Sequence, residues 1–371
     1  MTVLYFFLGT EAELIKMFPV IMEAKRRSFS CRIIASGQND IVNSIIFKKS
    51  DCGPVDFVLS SEKDIKKSAA GLLTWWIRTY HTAVHKIKNA FPEDDFSKGI
   101  MIVHGDTVST FMGAMIGKRL GMKVCHVEAG LRSFNLLSPF PEEIDRLLTS
   151  GTAGIHFAPG EEPFNNLKRA KGIVINTKQN TLLDSLRYSQ TLPIENETIR
   201  NITGMKYFVF VMHRQENLIK KSFVKEVVTQ IIKISAKYKC VLLLHKITEN
   251  TFNNFGLMNA VKNDPNIILF SRVDYFDFMK LLQNALFAIT DGGSNQEELY
   301  YMKKPCLVLR TATERKEGLG INARLFNGDP SDITNFVDEY EKGVFDLKGD
   351  IADFSPSKLI IDSLMEITCK Q

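Results

Sequence analysis

Three carboxylate positions, Asp106, Glu128 and the Glu142-Glu143 pair, stand out from the other acidic residues of this 371-residue chain. Each follows an apolar run or a proline, and none sits on a solvent-facing helix stripe. The run GIMIVHGDT reads as a buried strand, Ile100 to Val103, ending in a loop that carries Asp106. MKVCHVEAG repeats the pattern, with a short strand from Val124 to Val127 followed by Glu128. Two carboxylates are thus predicted at the carboxyl ends of neighbouring strands, where open α/β sheets bind ligands. Carboxylates so placed can take and return protons, or hold a negative charge against a developing cation. A second constellation lies later in the chain. His213 follows the strand-like run KYFVFVM, and ITDGGSNQEE places Gly292 and Gly293 between a strand and a helix. Ser294 or Asn295 is expected to cap that helix near Gln296, and a helix N-terminus is a ready anion site. Glu297 or Glu298, one turn in, is placed to accept hydrogen bonds from ribose hydroxyls. Taken singly, each has a plainer reading: Asp106 and Glu128 as helix caps, Glu142 as a first-turn acid, His213 as a turn histidine.

The elements that must position these residues alternate. Strands are predicted at 3–8, 31–35, 100–103, 123–127, 154–160 and 172–176, with helices at 11–27, in the tryptophan-containing 71–87 segment, at 108–120 with Thr107 or Ser109 as cap, and from about 141. The pattern restarts with strands at 207–212, 240–245, 266–270, before Gly292 and at 306–310. Helices are expected at about 221–237 and over DYFDFMKLLQNA. Such alternation implies α/β architecture with doubly wound parallel sheets. Two Rossmann-like domains are expected to face each other across a cleft, the usual place for a ligand. The boundary is sought in the polar, turn-rich stretch between Asn176 and Tyr207, giving domains of 1–180 and 181–354. A helix at about 355–371 is expected to pack back on the first.

Composition narrows the function classes. The hydrophobic fraction of 44% and charged fraction of 24% suit a soluble globular protein. A net charge of +5 suits an anionic ligand but is too small and dispersed to argue for nucleic acid. Six scattered cysteines without a C-x-x-C motif fit reduced thiols and a cytoplasmic location. The seven histidines give no metal-ligand spacing beyond His81 and His85, which read as helix surface. No apolar run approaches the ~20 residues of a membrane span, and the N-terminus shows no targeting signal.

The motifs HGDT, HVEAGLRS, SPFPEEIDR, HFAPGEE, HRQEN, TDGGSNQEE and TERKE (313–317) occur in this order over essentially the whole chain. In this the chain resembles the UDP-N-acetylglucosamine 2-epimerase family, for which HVEAGLR together with PEE-x-x-R is highly specific. The resemblance implies two domains in the glycosyltransferase-B arrangement and epimerisation at C2 of a UDP-2-acetamido sugar, with neither nicotinamide cofactor nor metal. UDP would be eliminated to give a 2-acetamidoglucal and then added back. A branch of the family instead hydrolyses the intermediate to UDP and free sugar. Because C2–H is a very weak acid, its loss must accompany departure of UDP from C1. One carboxylate removes the proton, another returns one, and a third stabilises positive charge at the anomeric carbon. The family's catalytic acids fall on Asp106, Glu128 and Glu142. His213 falls on the histidine facing the diphosphate, with Arg214 nearby, and Glu298 on the ribose-binding glutamate. Gly292, Gly293, Ser294 and Asn295 form the phosphate turn, and Thr10 and Arg132 fall on further substrate positions. A homodimer is the family's habit.

Some positions depart from the family pattern. Gly-Thr-Arg-Pro-Glu is replaced by Gly9-Thr10-Glu11-Ala12-Glu13, so an arginine that would face phosphates has become an acid. Either Lys16, Arg214 or Arg315 supplies the missing cation, or Glu11 meets another group on the sugar. The Ser-Gly-Gly turn has become Gly-Gly-Ser-Asn, and His-x-Asn-Pro is reduced to His245-Lys246-Ile247-Thr248. These changes suggest a divergent member acting on a non-standard sugar, such as a 6-deoxy or diacetamido hexose. A glycosyltransferase of the same architecture and a nucleotide-sugar-binding protein without chemistry are the rival classes. Neither explains three family acids surviving together.

Overall fold

The computed structural model describes residues 2–61, 69–135, 141–271, 273–313, 315–347 and 353–369. Residues 138–140 of SPFPEEIDR, Glu314 of TERKE and the last two residues of the expected C-terminal helix lie outside these. The chain forms two compact units, Met1–Ser185 with Phe354–Gln371, and Leu186–Asp353.

Unit 1 alternates strand and helix: β1 (Val3–Leu8), α1 (Glu11–Arg26), β2 (Ser30–Ala35), α2 (Ile45–Lys49), β3 (Phe57–Val58), α3 (Ala69–Ala90), β4 (Ile100–His104), α4 (Val108–Arg119), β5 (Lys123–Val127), α5 (Glu142–Thr152), β6 (Ile155–Ala158), α6 (Glu161–Asn166), β7 (Ile173–Asn176) and the start of α7 (Leu182–Thr191). Its sheet runs β3-β2-β1-β4-β5-β6-β7, and every pairing is parallel. Parallel strands covered on both faces must be apolar throughout, which is why VLYFFL and IMIVH read as continuous hydrophobic runs. Leu4 to Leu8 and Ile100 to His104 are buried accordingly. Thr10 caps α1 and Thr107 caps α4, each in a reciprocal capping box. In α3, Trp75 is buried and donates to Ser60 Oγ at 2.8 Å, while the Trp76 ring stacks on Tyr80 and Phe111.

Unit 2 repeats the plan: α8 (Glu197–Thr203), β8 (Tyr207–Val211), α9 (Gln215–Leu218), α10 (Lys221–Ser235), β9 (Lys239–Leu243), α11 (Lys246–Asn254), α12 (Met258–Lys262), β10 (Ile267–Phe270), α13 (Tyr275–Asn284), β11 (Ala288–Thr290), α14 (Gly293–Tyr301), β12 (Cys306–Val308), β13 (Ala323–Leu325) and α15 (Asp332–Glu341). Its parallel sheet runs β10-β9-β8-β11-β12-β13. The final helix, α16 (Pro356–Cys369), belongs to unit 1 and packs on α1, with Arg27 reaching Asp362 at 2.6 Å.

Both sheets therefore change winding direction at their centre, between β1 and β4 in one and between β8 and β11 in the other. The loops leaving those strands diverge and open a crevice at the carboxyl ends. Thr10 and Asp106 lie on the two loops of unit 1, His213 and Gly292 on those of unit 2.

Two local expectations are corrected. The polar stretch between Asn176 and Tyr207 contains two helices, α7 and α8, whose apolar residues Leu182, Leu183, Leu186, Ile199 and Ile202 are buried. Its polar residues mark the outer helix faces as well as turns. Helix α14 starts at Gly293 after an N-cap at Gly292, with no side-chain cap. Asn295 is drawn instead to Thr290 Oγ1 at 3.0 Å and Glu298 Oε2 at 2.9 Å. The six cysteines are free thiols, and among the described residues no helix is long and apolar enough to cross a membrane.

Candidate functional site

In unit 1, β4 and β5 lie side by side in parallel register, His104 opposite Val127, so the turns carrying Asp106 and Glu128 leave the same sheet edge. Glu128 takes a left-handed backbone conformation, φ 62°, which is costly for a residue with a side chain. The turn directs the carboxylate inward. Glu128 Oε2 accepts from Lys16 Nζ at 2.5 Å and from Asn180 Nδ2, and His104 Nε2 lies 3.6 Å away. Both charged side chains of the ion pair are buried. Lys16, a candidate to face phosphates, is thus held by a carboxylate.

Asp106 follows Gly105, whose φ of 72° lets the chain turn immediately after β4. His126 Nε2, 2.8 Å from the Gly105 carbonyl, supports that turn from the neighbouring strand, and burial pushes the His126 imidazole down to about 4. A neutral ring donating one proton satisfies the carbonyl. Arg146 Nη2 fixes the Asp106 carboxylate at 2.5 Å.

The two acids of Pro-Glu-Glu have opposite surroundings. Glu143 is fully buried and accepts from Arg132 Nε at 2.5 Å, Ser133 N at 2.9 Å and Arg146 Nη1 at 3.3 Å. Burial works against its ionisation, yet these bonds together hold its carboxyl below the usual range. Glu142 Oε2 is buried and has no hydrogen-bond partner among the described residues. Of the three acids singled out in the sequence, Glu142 alone has a carboxylate oxygen in that state. One turn further along α5, Asp145 is buried with Oδ2 equally unpartnered. Burial, then the charges of Asp106 and Glu142, push the Asp145 carboxyl up to about 7.

The β1–α1 loop is knitted to the β4–α4 loop by Glu13. Its carboxylate accepts from Gly9 N and Thr107 Oγ1, each at 2.5 Å, and from Thr10 N at 3.3 Å. Burial nevertheless raises the Glu13 carboxyl to about 7. Glu11 lies in the first turn of α1, where Ser44 Oγ donates to Glu11 Oε1 at 2.6 Å. Ser44 is itself the N-cap of α2.

In unit 2 the organising group is Asp291, at the end of β11 and fully buried. It accepts from His213 N at 3.0 Å, Arg214 N at 2.8 Å and Asn217 Nδ2 at 3.2 Å, and His213 Nδ1 lies 3.1 Å from its Oδ1. Burial opposes its ionisation, but the His213 and Arg214 donors more than offset this and hold the carboxyl below its usual range. The His213 ring packs 4.8 Å from that of His245, whose imidazole is pushed down first by burial and then by His213. The carboxylate of Asp291 beside Nδ1 favours a proton on that nitrogen, and so a lone pair on Nε2. Gly292 N donates to Thr290 Oγ1 at 3.0 Å, and Ser294 is half-buried in the first turn of α14. Glu298 is buried beside Asn295. Arg315 pairs with Glu297, and Arg214 Nη1 lies 3.3 Å from Glu216.

In unit 1 the structure brings Asp106, Glu128, Glu142, Lys16 and Arg132 into linked clusters. In unit 2 it gathers His213, Arg214 and the 292–298 turn around Asp291. Glu13, Glu143, Asp145, Arg146, Asn180 and Asp291 received no role from the sequence. For Glu143 and Arg146 the signal was the PEE-x-x-R spacing, which puts both on one helix face. Asp291 stands in the TDGGSNQEE motif, though nothing in its neighbours marks it as the organising group, and for Asn180 no local signal exists.

Comparison with known proteins identifies the family. The profile of the UDP-N-acetylglucosamine 2-epimerase family matches residues 22–347. A UDP-N-acetylglucosamine 2-epimerase of Methanococcus maripaludis is 32% identical over 366 residues, covering 96% of both chains. The structure of the Methanocaldococcus jannaschii UDP-GlcNAc 2-epimerase with UDP-GlcNAc and UDP superposes with a TM-score of 0.78 at 25% identity, over 99% of this chain and 100% of that one. The Neisseria meningitidis UDP-GlcNAc 2-epimerase bound to UDP-GlcNAc gives 0.80 at 26%, with the same coverage. By sequence and by fold, the chain belongs to the UDP-N-acetylglucosamine 2-epimerase family.

Proposed function

We propose that the protein epimerises a UDP-2-acetamido sugar at C2, eliminating UDP to a 2-acetamidoglucal and adding it back. The observation that supports this best is the unequal engagement of the three acids. Glu128, tied to Lys16 and Asn180, is suited to remain charged and to stabilise the cation developing at C1. Glu142, with an unengaged oxygen, is suited to proton transfer at C2, and Asp106, oriented by Arg146, supplies the second carboxylate. His213, Arg214, the turn 292–295, Glu298 and Arg315 serve the nucleotide, His213 presenting Nε2 to the departing diphosphate. The non-hydrolysing course is the one proposed, in a homodimer whose mass light scattering will measure.

Turnover of UDP-N-acetylglucosamine in heavy water is the test. Deuterium at C2 of a product still joined to UDP is the expected result. Deuterium in a free sugar, with UDP released, assigns the hydrolytic branch instead. A consumed substrate whose product has no deuterium at C2 overturns the reading in favour of a transferase. Glu142→Gln and Asp106→Asn are each expected to lower incorporation by about 10²–10⁴ while UDP binding persists.

A further inference from the structure

Glu13 is bound more extensively than its place in a helix cap requires. As the N3 acid of the capping box that opens α1, it needs only the Thr10 N–H. That bond is the long one, at 3.3 Å. The two short ones, each 2.5 Å, run to Gly9 N just after β1 and to Thr107 Oγ1, 94 residues away on the β4–α4 loop. With 3% of its surface exposed, the side chain depends on these protein donors.

The bridge lands beside an acid assigned to the reaction. Thr107 directly follows Asp106. On the other side of Asp106, Gly105 is already anchored: its N donates to Val127 O at 3.0 Å, and its carbonyl lies 2.8 Å from His126 Nε2. Arg146 holds the Asp106 carboxylate itself. Thr107 is the downstream anchor of the turn, and its hydroxyl is tied to Glu13. The β1–α1 loop at the far end of the bridge has no slack. A Cβ at Gly9 would collide with Ser109 Oγ in the first turn of α4, so that loop lies flush against the helix. One carboxylate thus links the Thr10 loop to the Asp106 turn across the switch point between β1 and β4.

We propose that Glu13 is a positioning residue for the reaction, acting through Thr107 to hold the Asp106 carboxylate in register with the Thr10 loop. Glu13 itself exchanges no proton with the substrate. Its Oε2 serves the two backbone N–H groups and its Oε1 the hydroxyl. A glutamine can keep all three bonds, with its carbonyl towards the backbone and its amide N–H towards Thr107, because a hydroxyl accepts as well as donates. The reaction therefore needs a bridge of this length and not a charge at this point. A misplacement of about 1 Å at a reacting group can lower the rate about 10²-fold, so a slack bridge is felt in the chemical step.

The inference rests on the epimerase reading, and the experiment separates the two. Glu13→Ala cuts the bridge and Glu13→Gln retains it; Thr107→Val cuts it from the other end and Thr107→Ser retains it. Thr107→Val also removes the α4 cap, which Glu13→Ala leaves in place. For both severing variants, kcat on UDP-N-acetylglucosamine is expected to fall at least about tenfold, while UDP affinity by calorimetry stays within about threefold of wild type. Glu13→Gln and Thr107→Ser are expected to keep kcat within about threefold of wild type. The double variant Glu13→Ala/Thr107→Val is expected to be at most about twofold slower than the slower single, since both changes cut one bond. Losses that multiply in the double variant overturn the positioning role, as does an unchanged kcat in the severing variants. So does a kcat that falls only in step with UDP affinity, the mark of general damage to the fold. Should Glu13→Ala fail to fold, as judged by circular dichroism, the Thr107 pair decides: equal kcat for Thr107→Val and Thr107→Ser overturns the role. A wild-type protein that leaves C2 unlabelled in heavy water overturns the epimerase reading instead.

Discussion

Lys16 and Glu128 are 112 residues apart in sequence and 2.5 Å apart in unit 1, forming a buried ion pair between α1 and the turn after β5. The pair joins the two halves of the sheet across its switch point. Removing one member of such a pair leaves a buried charge uncompensated, which costs about 3–5 kcal/mol. Lys16→Met should therefore lower stability by that order in urea titrations. Adding Glu128→Gln should recover most of the loss without restoring activity. A Lys16→Met protein as stable as its parent contradicts the assignment.

Glu13 makes a pH prediction. Its carboxyl is raised from 4.5 to about 7 in the folded protein, mainly by burial. The folded state therefore holds the proton more tightly than the unfolded one. The resulting stability is complete below pH 4.5 and is lost as pH rises to about 7, beyond which this contribution is flat. Asp145, raised from 3.8 to about 7, acts in the same direction. Glu13→Gln should reduce the fall in unfolding free energy between pH 4.5 and 7, leaving the part due to Asp145. An unaltered pH slope in the variant would falsify the Glu13 assignment.

Glu11 accepts a hydrogen bond from Ser44 Oγ at the cap of α2, and an arginine there would reverse the direction of that bond and the sign of the charge. Glu11→Arg should alter the choice among UDP-2-acetamido sugars more than the affinity for UDP. Calorimetry showing a large gain in UDP affinity with sugar preference untouched contradicts a sugar contact for Glu11.

The strands were legible wherever they are buried on both faces, because burial demands largely apolar runs: β1, β4, β8 and β9 read this way, and β5 does so despite His126. The two-residue β3 and the three-residue β13 are too short to show any pattern. Helices α7 and α8 were hidden because their exposed residues are the polar types that also make turns. In the candidate site, the acids were visible as residues but their partners were not. Arg146 reaches Asp106 across 40 residues and Asn180 reaches Glu128 across 52, separations with no local signature. The opposite surroundings of Glu142 and Glu143 arise from the direction each side chain takes on α5, which sequence adjacency conceals.

Unit 1 is assembled from two pieces of chain, because α16 at the far end packs on α1 near the beginning. On the ribosome, unit 2 is continuous and can condense as soon as it emerges, while unit 1 waits with the α16-binding side of α1 uncovered. At a synthesis rate of ~5–20 residues per second, the intervening segment imposes a delay of about 10–30 s. During that time the nascent N-terminal sheet is exposed to chaperones and proteases. The last turns of α16 thus close a unit whose first strand was made long before them.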